Sequence, residues 1–315
     1  MILALAGGVG GAKLANGLAC SLAPADLVVA VNTGDDFEHL GLHVSPDLDS
    51  VMYRLAGLND QKRGWGLAGE GWRFMEALER LGGETWFRLG DRDLATHVER
   101  TRRLRDGETL SQVTTALGAR LGIADRVAPM SDDPVRTMVT TPEGTLPFQD
   151  YFVRHACAPV VREFTFAGAD AAAPAPALAD ALASPGLAAI VLCPSNPYVS
   201  IAPILAIPAV AAAIEGRRVP LVAVSPIVGG AAVKGPAAKM MREIGVAPSA
   251  AGVAAHYGAL LDGIVIDTAD AALAGAIEAT GVAVRVAPTL MRGPEDERRL
   301  AEDVLAFAAS LGGRR

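Results

Sequence analysis

The stretch "LALAGGVGGAKLANGLA", Leu3 to Ala19, decides the fold. A short apolar run reads as a strand. It meets four glycines and Lys13, and from Gly11 to Ala19 the spacing becomes helical. Strand, bare backbone and helix form the opening of a βαβ unit. Glycines let backbone N–H groups approach a phosphate, and the helix N-terminus adds favourable partial charge. Two familiar phosphate loops nearly fit. Gly8-Val9-Gly10 begins a dinucleotide fingerprint, but Lys13 stands where its third glycine belongs. The P-loop needs Gly-Lys-Ser/Thr, and here Ala12-Lys13-Leu14 offers no hydroxyl for magnesium. The remaining readings are phosphate binding by the amides of Gly8, Gly10 and Gly11 with Lys13, or a tight strand-to-helix turn.

Outward from that stretch the rhythm repeats. "DLVVAVN" is a second strand, and "AAIVLCP", "VPLVAVSP", "GIVIDT" and "VAVRVAP" are further short apolar, β-branched runs separated by alanine-rich helical stretches. Continuous apolar strands alternating with helices predict a parallel sheet covered on both faces. Between about Leu48 and Leu121 the pattern is helical and densely charged, and "VRTMVTTPEGTLPFQDYFV" reads as a β-hairpin turning at Pro142–Gly144. The expectation is an α/β fold: one Rossmann-like core from about 1–46 and 160–315, with a helical and β-hairpin insertion over about 47–159.

Composition sets limits. The 315 residues carry a net charge of −7 without blocks, which argues against a nucleic-acid surface. The longest apolar run, Ile201 to Ile214, holds two prolines and is too short for a span of about 20 residues. The apolar N-terminus has no basic region, and its glycines break the run, so it reads as a first strand and not a leader. Cys20, Cys157 and Cys193 form no metal spacing and read as small buried residues of a reducing cytoplasm.

Ligands of parallel sheets bind beyond the carboxyl ends of the strands. Asp35 and Asp36 of "NTGDDF" follow the second strand, as metal or ribose ligands or as a helix cap. Ser195 and Asn196 of "CPSNP" follow another, and Lys234 lies in the glycine-rich loop "SPIVGGAAVKGPAAK". Together these loops suggest a crevice for a nucleotide with a phosphorylated tail. Asp47 and Asp49 of "SPDLDSVMY" suit a helix dipole, a magnesium site or a general base. Arg88, Asp91, Arg92, Asp93 and His97 crowd "WFRLGDRDLATH" behind Trp86 and Phe87; His97 has no partner histidine and reads as a packing or capping residue.

The blocks "GGVGGAK", "NTGDD", "SPDLDSVMY", "RGWGL", "WFRLGDRDLATH", "PMSDDPVRT", "FQDYFV", "PSNPYVSIAPIL" and "SPIVGGAAVKGPAAKMM" stand in the order seen in the 2-phospho-L-lactate transferase family, which the chain resembles over nearly its whole length. The resemblance implies a role in making the deazaflavin coenzyme F-420. It implies transfer of a phospholactyl-type unit (phospholactate, phosphoenolpyruvate or phosphoglycerate) from a guanosine diphosphate-linked donor to the deazaflavin alcohol Fo. GMP leaves and Mg2+ is required. It further implies a Rossmann-like core, a homodimer, and deazaflavin contacts from Asp49 and Arg88. On that basis Asp47 and Asp49 would bind Mg2+ or take the hydroxyl proton, with Asp35 and Asp36 as further metal candidates. Lys13, Lys234, Ser195, Asn196 and the glycine amides would hold the phosphates. The competing reading is a non-catalytic nucleotide-sugar-binding regulatory protein of the same fold.

Overall fold

The computed structural model describes residues 1–312. Seven strands form one parallel sheet: β1 Ile2–Ala6, β2 Leu27–Val31, β3 Arg126–Pro129, β4 Ala189–Leu192, β5 Leu221–Val224, β6 Gly263–Ile266 and β7 Ala283–Val286. Their order is β7-β6-β5-β4-β1-β2-β3. From β3 inward this is the doubly wound nucleotide-binding order, 3-2-1-4-5-6, with β7 added beyond β6. The expected Rossmann-like α/β core is present.

The helices of eight or more residues are α1 Gly8–Ser21, α2 Pro46–Leu55, α3 Arg73–Arg80, α4 Asp93–Arg105, α5 Leu110–Arg120, α6 Pro176–Ala183, α7 Pro208–Glu215, α8 Ala250–Tyr257 and α9 Pro294–Leu311. Side chains alternate across β1 with the period of the pleat. Ile2, Ala4 and Ala6 face α1, α2 and α9, where Leu14, Leu18, Leu48, Met52, Leu300 and Val304 are buried. Leu3 and Leu5 face α6, α7 and α8 through Leu178, Val210, Ile214 and Val253. Both faces are covered, which is why the strands read as unbroken apolar runs.

Three details differ from the expected layout. The strand β3 falls inside the stretch 47–159 yet pairs in parallel with β2, Val28 opposite Arg126. Its sequence "RVAP" is short, polar at one end and closed by proline, which an edge strand tolerates and a pattern search passes over. The helix α2, also inside that stretch, packs its Leu48, Val51 and Met52 directly into the core. Of the three cysteines only Cys193 is buried, and Cys20 is exposed. The hairpin is present: Arg136–Thr141 pairs with Gly144–Pro147, and Glu163–Ala167 adds a third antiparallel strand. Among the described residues no single helix is long and apolar enough to cross a membrane; Pro197–Leu205 and Pro208–Glu215 meet at 88°.

Register fixes the site. Asn32 N donates to the carbonyl of Ala6 (2.9 Å), and Cys193 N to that of Leu5 (3.0 Å). The chain therefore leaves β1, β2 and β4 at one level. Those exits flank the point where the strand order reverses, and there an open α/β sheet leaves a crevice.

Candidate active site

The glycines do not form a loop ahead of the helix; Gly8, Gly10 and Gly11 lie in the first turn of α1. Most make room for protein. A Cβ on Gly10 would overlap the Pro194 carbonyl oxygen, one on Gly11 would sit 2.5 Å from Ser195 Oγ, and one on Gly7 2.6 Å from Asp47 Oδ2. Gly8 differs: it has φ +61°, with open space where a Cβ would stand. The amides of Val9 and Gly10, in the first turn, have no intrahelical acceptor by helix geometry, so they remain for a ligand. The turn thus serves close packing against the β4 exit as much as ligand approach.

Beside it opens a cleft of about 620 Å³. Gly8, Gly10, Lys13, Asp35, Asp47, Asp49, Arg88, Ser195, Asn196 and Lys234 all line it. Residues far apart in sequence are brought together because the exits of β1, β2, β4 and β5 open on one edge. Gly11 and Asp36 are not on its wall. Gly11 packs against Ala6, and Asp36 accepts from Ser45 Oγ (2.7 Å) and contacts His43 Nε2 (3.1 Å), pinning the approach to α2.

Asp47 and Asp49 belong to separate networks, as residues two apart on a helix point in different directions. Asp47 Oδ1 accepts from the Gly8 amide (2.8 Å) and Oδ2 from Asn32 Nδ2 (2.9 Å). Burial pushes the Asp47 carboxyl up to about 6, against those two hydrogen bonds. Burial, and then Asp47 itself, holds Asp35 well above the usual carboxylate range, and Asp35 Oδ1 is buried without a hydrogen-bond partner. Two crowded buried carboxylates with an orphaned oxygen are what a hard divalent cation neutralises. The residues present fit Mg2+.

Asp49 is held by the guanidinium of Arg100, through Nη2 to Oδ1 and Nη1 to Oδ2 (3.1 Å). His97 stands between two acids, Nδ1 3.7 Å from Asp49 Oδ2 and Nε2 3.4 Å from Asp93 Oδ2. Tyr53 donates to Asp93 Oδ1 (2.6 Å). Burial raises the Asp49 carboxyl, opposed by Arg100 and His97. Burial also pushes Asp93 upward, but the nearby His97 and the Tyr53 hydroxyl outweigh it, and Asp93 ends below its usual range. Donor atoms of Asp49, Asp93 and His97 lie within 4.8 Å of one another. Arg100 already supplies the positive charge there, so Asp35 and Asp47, which lack a cationic partner, would be the better pair to hold a cation.

Sequence reasoning left out Arg100 and Asn32 and gave His97 only a packing or capping role. The signal was present: Asp93, His97 and Arg100 fall at i, i+4 and i+7, one face of α4. The rest of that charged run is solvated, which masks the stripe.

Other polar side chains are partly committed. Ser195 Oγ accepts from Gly7 N (3.0 Å) and donates to Gly7 O (2.8 Å), tying β4 to the glycine turn. Asn196 Oδ1 accepts from Tyr198 N (3.0 Å). Lys13 Nζ donates to the Met291 carbonyl (2.5 Å) and Lys234 Nζ to that of Arg63 (3.1 Å). Burial, and then Lys13, lowers the Lys234 ammonium. Arg88 stacks its guanidinium on Trp72, 4.3 Å from the ring centre. Acids therefore line the cleft where α2 begins, and cations with carbonyl or ring partners surround them.

Comparison with known proteins gives one consistent picture. The family model described as 2-phospho-L-lactate transferase CofD matches residues 2–288. A phosphoenolpyruvate transferase of Kitasatospora aureofaciens is 44% identical over 98% of this chain and 98% of its own. A 2-phospho-L-lactate transferase of Methanosarcina mazei is 39% identical over 96% of this chain and 99% of its own. A crystal structure of a UPF0052-family protein from Bacillus halodurans superposes with a TM-score of 0.60 at 14% identity, covering 96% of this chain and 98% of that one.

Proposed function

The chain belongs to the 2-phospho-L-lactate transferase CofD family, and from that premise we propose that it moves a phosphoenolpyruvyl- or phospholactyl-type unit from a guanosine diphosphate-linked donor to the deazaflavin alcohol Fo, in coenzyme F-420 biosynthesis. The observation that carries the reading is the convergence on one cleft of the α1 N-terminus, the acids of α2 and Arg88. A regulatory nucleotide-sugar binder has no use for the buried acids Asp35, Asp47 and Asp49 on that wall.

The free amides of the α1 first turn and Lys13 bind the donor diphosphate. Asp35 and Asp47 would hold Mg2+, which would offset phosphate charge there. Arg88, braced on Trp72, and Asp49, braced by Arg100, orient Fo. The Fo hydroxyl oxygen bonds to the distal phosphorus as the bond from that phosphorus to the bridging oxygen breaks. GMP leaves with that oxygen, and Asp49 receives the hydroxyl proton. Positioning and charge neutralisation dominate, as in phosphoryl transfer generally.

The test is mass spectrometry of Fo after incubation with the protein, Mg2+ and donors carrying lactate, enolpyruvate or glycerate. A product heavier by the phosphoryl-acyl unit, with matching GMP, is expected from at least one. No adduct from any donor would refute the reading.

A further inference from the structure

Every donor of this class ends, beyond its distal phosphorus, in a three-carbon unit with a carboxylate. Drawing that carboxylate out of water needs a charged hydrogen-bonding partner. We propose that Arg63 and Lys234 form the subsite for this carboxylate and so decide which diphosphate esters the cleft accepts; the proposal rests on the donor assignment above.

In the proposed transfer the moving unit passes from the nucleotide phosphates to the acceptor, and Arg63 is joined to Lys234 by its carbonyl and to Trp72 by its guanidinium. On the side of the loop after β5, its carbonyl receives Lys234 Nζ (3.1 Å). Toward the acceptor, its guanidinium lies 5.0 Å from the ring centre of Trp72, the ring that carries Arg88. Both Arg63 and Lys234 line the cleft. The guanidinium is prepositioned, with Nη1 left over. Asp60 Oδ2 (2.9 Å) and the Leu67 carbonyl (2.9 Å) both engage Nη2, while Nε is buried with no partner. Asp60 Oδ1 also accepts from the amides of Lys62 and Arg63, both at 2.9 Å, so the turn carrying the arginine is built in advance. Gly64 completes the arrangement: a Cβ there would overlap Lys234 Nζ, so glycine lets the lysine reach across. With Nη2 held in place, Nη1 remains to give a carboxylate one charge-assisted hydrogen bond, and the Lys234 ammonium adds a second donor.

The experiment is calorimetry with two guanosine diphosphate esters in the presence of Mg2+: the lactyl donor, and the ethyl ester, which lacks the carboxylate. The wild-type protein is expected to bind the lactyl ester about 10-fold or more tightly than the ethyl ester, the range of a charge-assisted hydrogen bond. In Arg63→Gln the ratio falls toward one, while affinity for the ethyl ester stays within about 3-fold, since the phosphate contacts remain. Lys234→Met, on a separate loop, should shrink the ratio as well, which guards against a misfolded arginine variant. An unchanged ratio in both variants, or equal loss for both esters, overturns the carboxylate subsite while leaving the donor reading intact. A wild-type protein that binds neither ester overturns both.

Discussion

Asp49 shows how a buried partner changes what a substitution does. As a helix-dipole acid alone, Asp49 would cost only about 0.3–1 kcal/mol to neutralise. Arg100, however, is almost fully buried on that carboxylate. Removing the charge leaves a guanidinium unpaired, which costs about 3–5 kcal/mol in a buried pair. We expect Asp49→Asn to lose stability on that scale in urea unfolding, and to release GMP at least about 100-fold more slowly. The double variant Asp49→Asn/Arg100→Gln should regain most of the stability and none of the turnover. Turnover restored along with stability would make the carboxylate structural only. Residue chemistry was legible here only in part. The acids of "PDLD" and "GDD" announced themselves. Arg100 did not, because one inward arginine among many solvated charges looks like its neighbours. The glycines were legible as bare backbone, but not as the seat of Pro194 and Ser195, which lie far along the chain.

Short elements set the acceptor side. Phe37–His39 and Leu42–Val44 pair antiparallel around Leu40 and Gly41, at φ 54° and 71°. Phe37 meets Phe87 edge-on at 4.8 Å, and His39 meets Trp86 at 5.2 Å. This hairpin thus holds the segment leading to Arg88. Burial lowers the His39 imidazole below its ordinary value, opposed by Glu84. The sign follows from linkage: the folded state binds this proton less readily than the unfolded chain. The stability contributed by neutral His39 is present above the unfolded value of about 6.5 and is lost as pH falls through the lower folded value. Because the raised Asp35 and Asp47 carboxyls act in the opposite sense over the same range, His39 is read from the difference in melting temperature between wild type and His39→Phe, which should shift against the wild type from about pH 7.5 to pH 5. A difference that does not change with pH would clear His39 of that role. No apolar run marks this hairpin, since its three-residue strands carry too few residues to show a period, just as "RVAP" hides β3.

At the scale of the molecule, the reversal of strand order between β1 and β4 does what no local pattern states: it turns scattered loops into one wall. The parallel core was legible because both faces are buried and its runs are continuous. The boundary of the insertion was not, because α2 and β3 serve the core while lying within it. The connection leaving β2 folds back so that Asp35 and Asp47 share one buried acidic corner, where Asp47 raises the cost of charging Asp35. That corner should bind Mg2+ with a stability signature independent of turnover. The wild-type melting temperature should rise with MgCl2 against an NaCl control of equal ionic strength. Ligand linkage gives about 2.7 kcal/mol at a hundredfold excess over the dissociation constant. Asp35→Asn removes one of the two charges and keeps the shape. Its metal-free form should be at least as stable as the wild type, because an unpaired buried carboxylate has gone, and its response to MgCl2 should vanish. A variant that still gains stability from magnesium would move the cation away from Asp35. The trio Asp49, Asp93 and His97 would then be the place to look, and Asp93→Asn the variant to melt next.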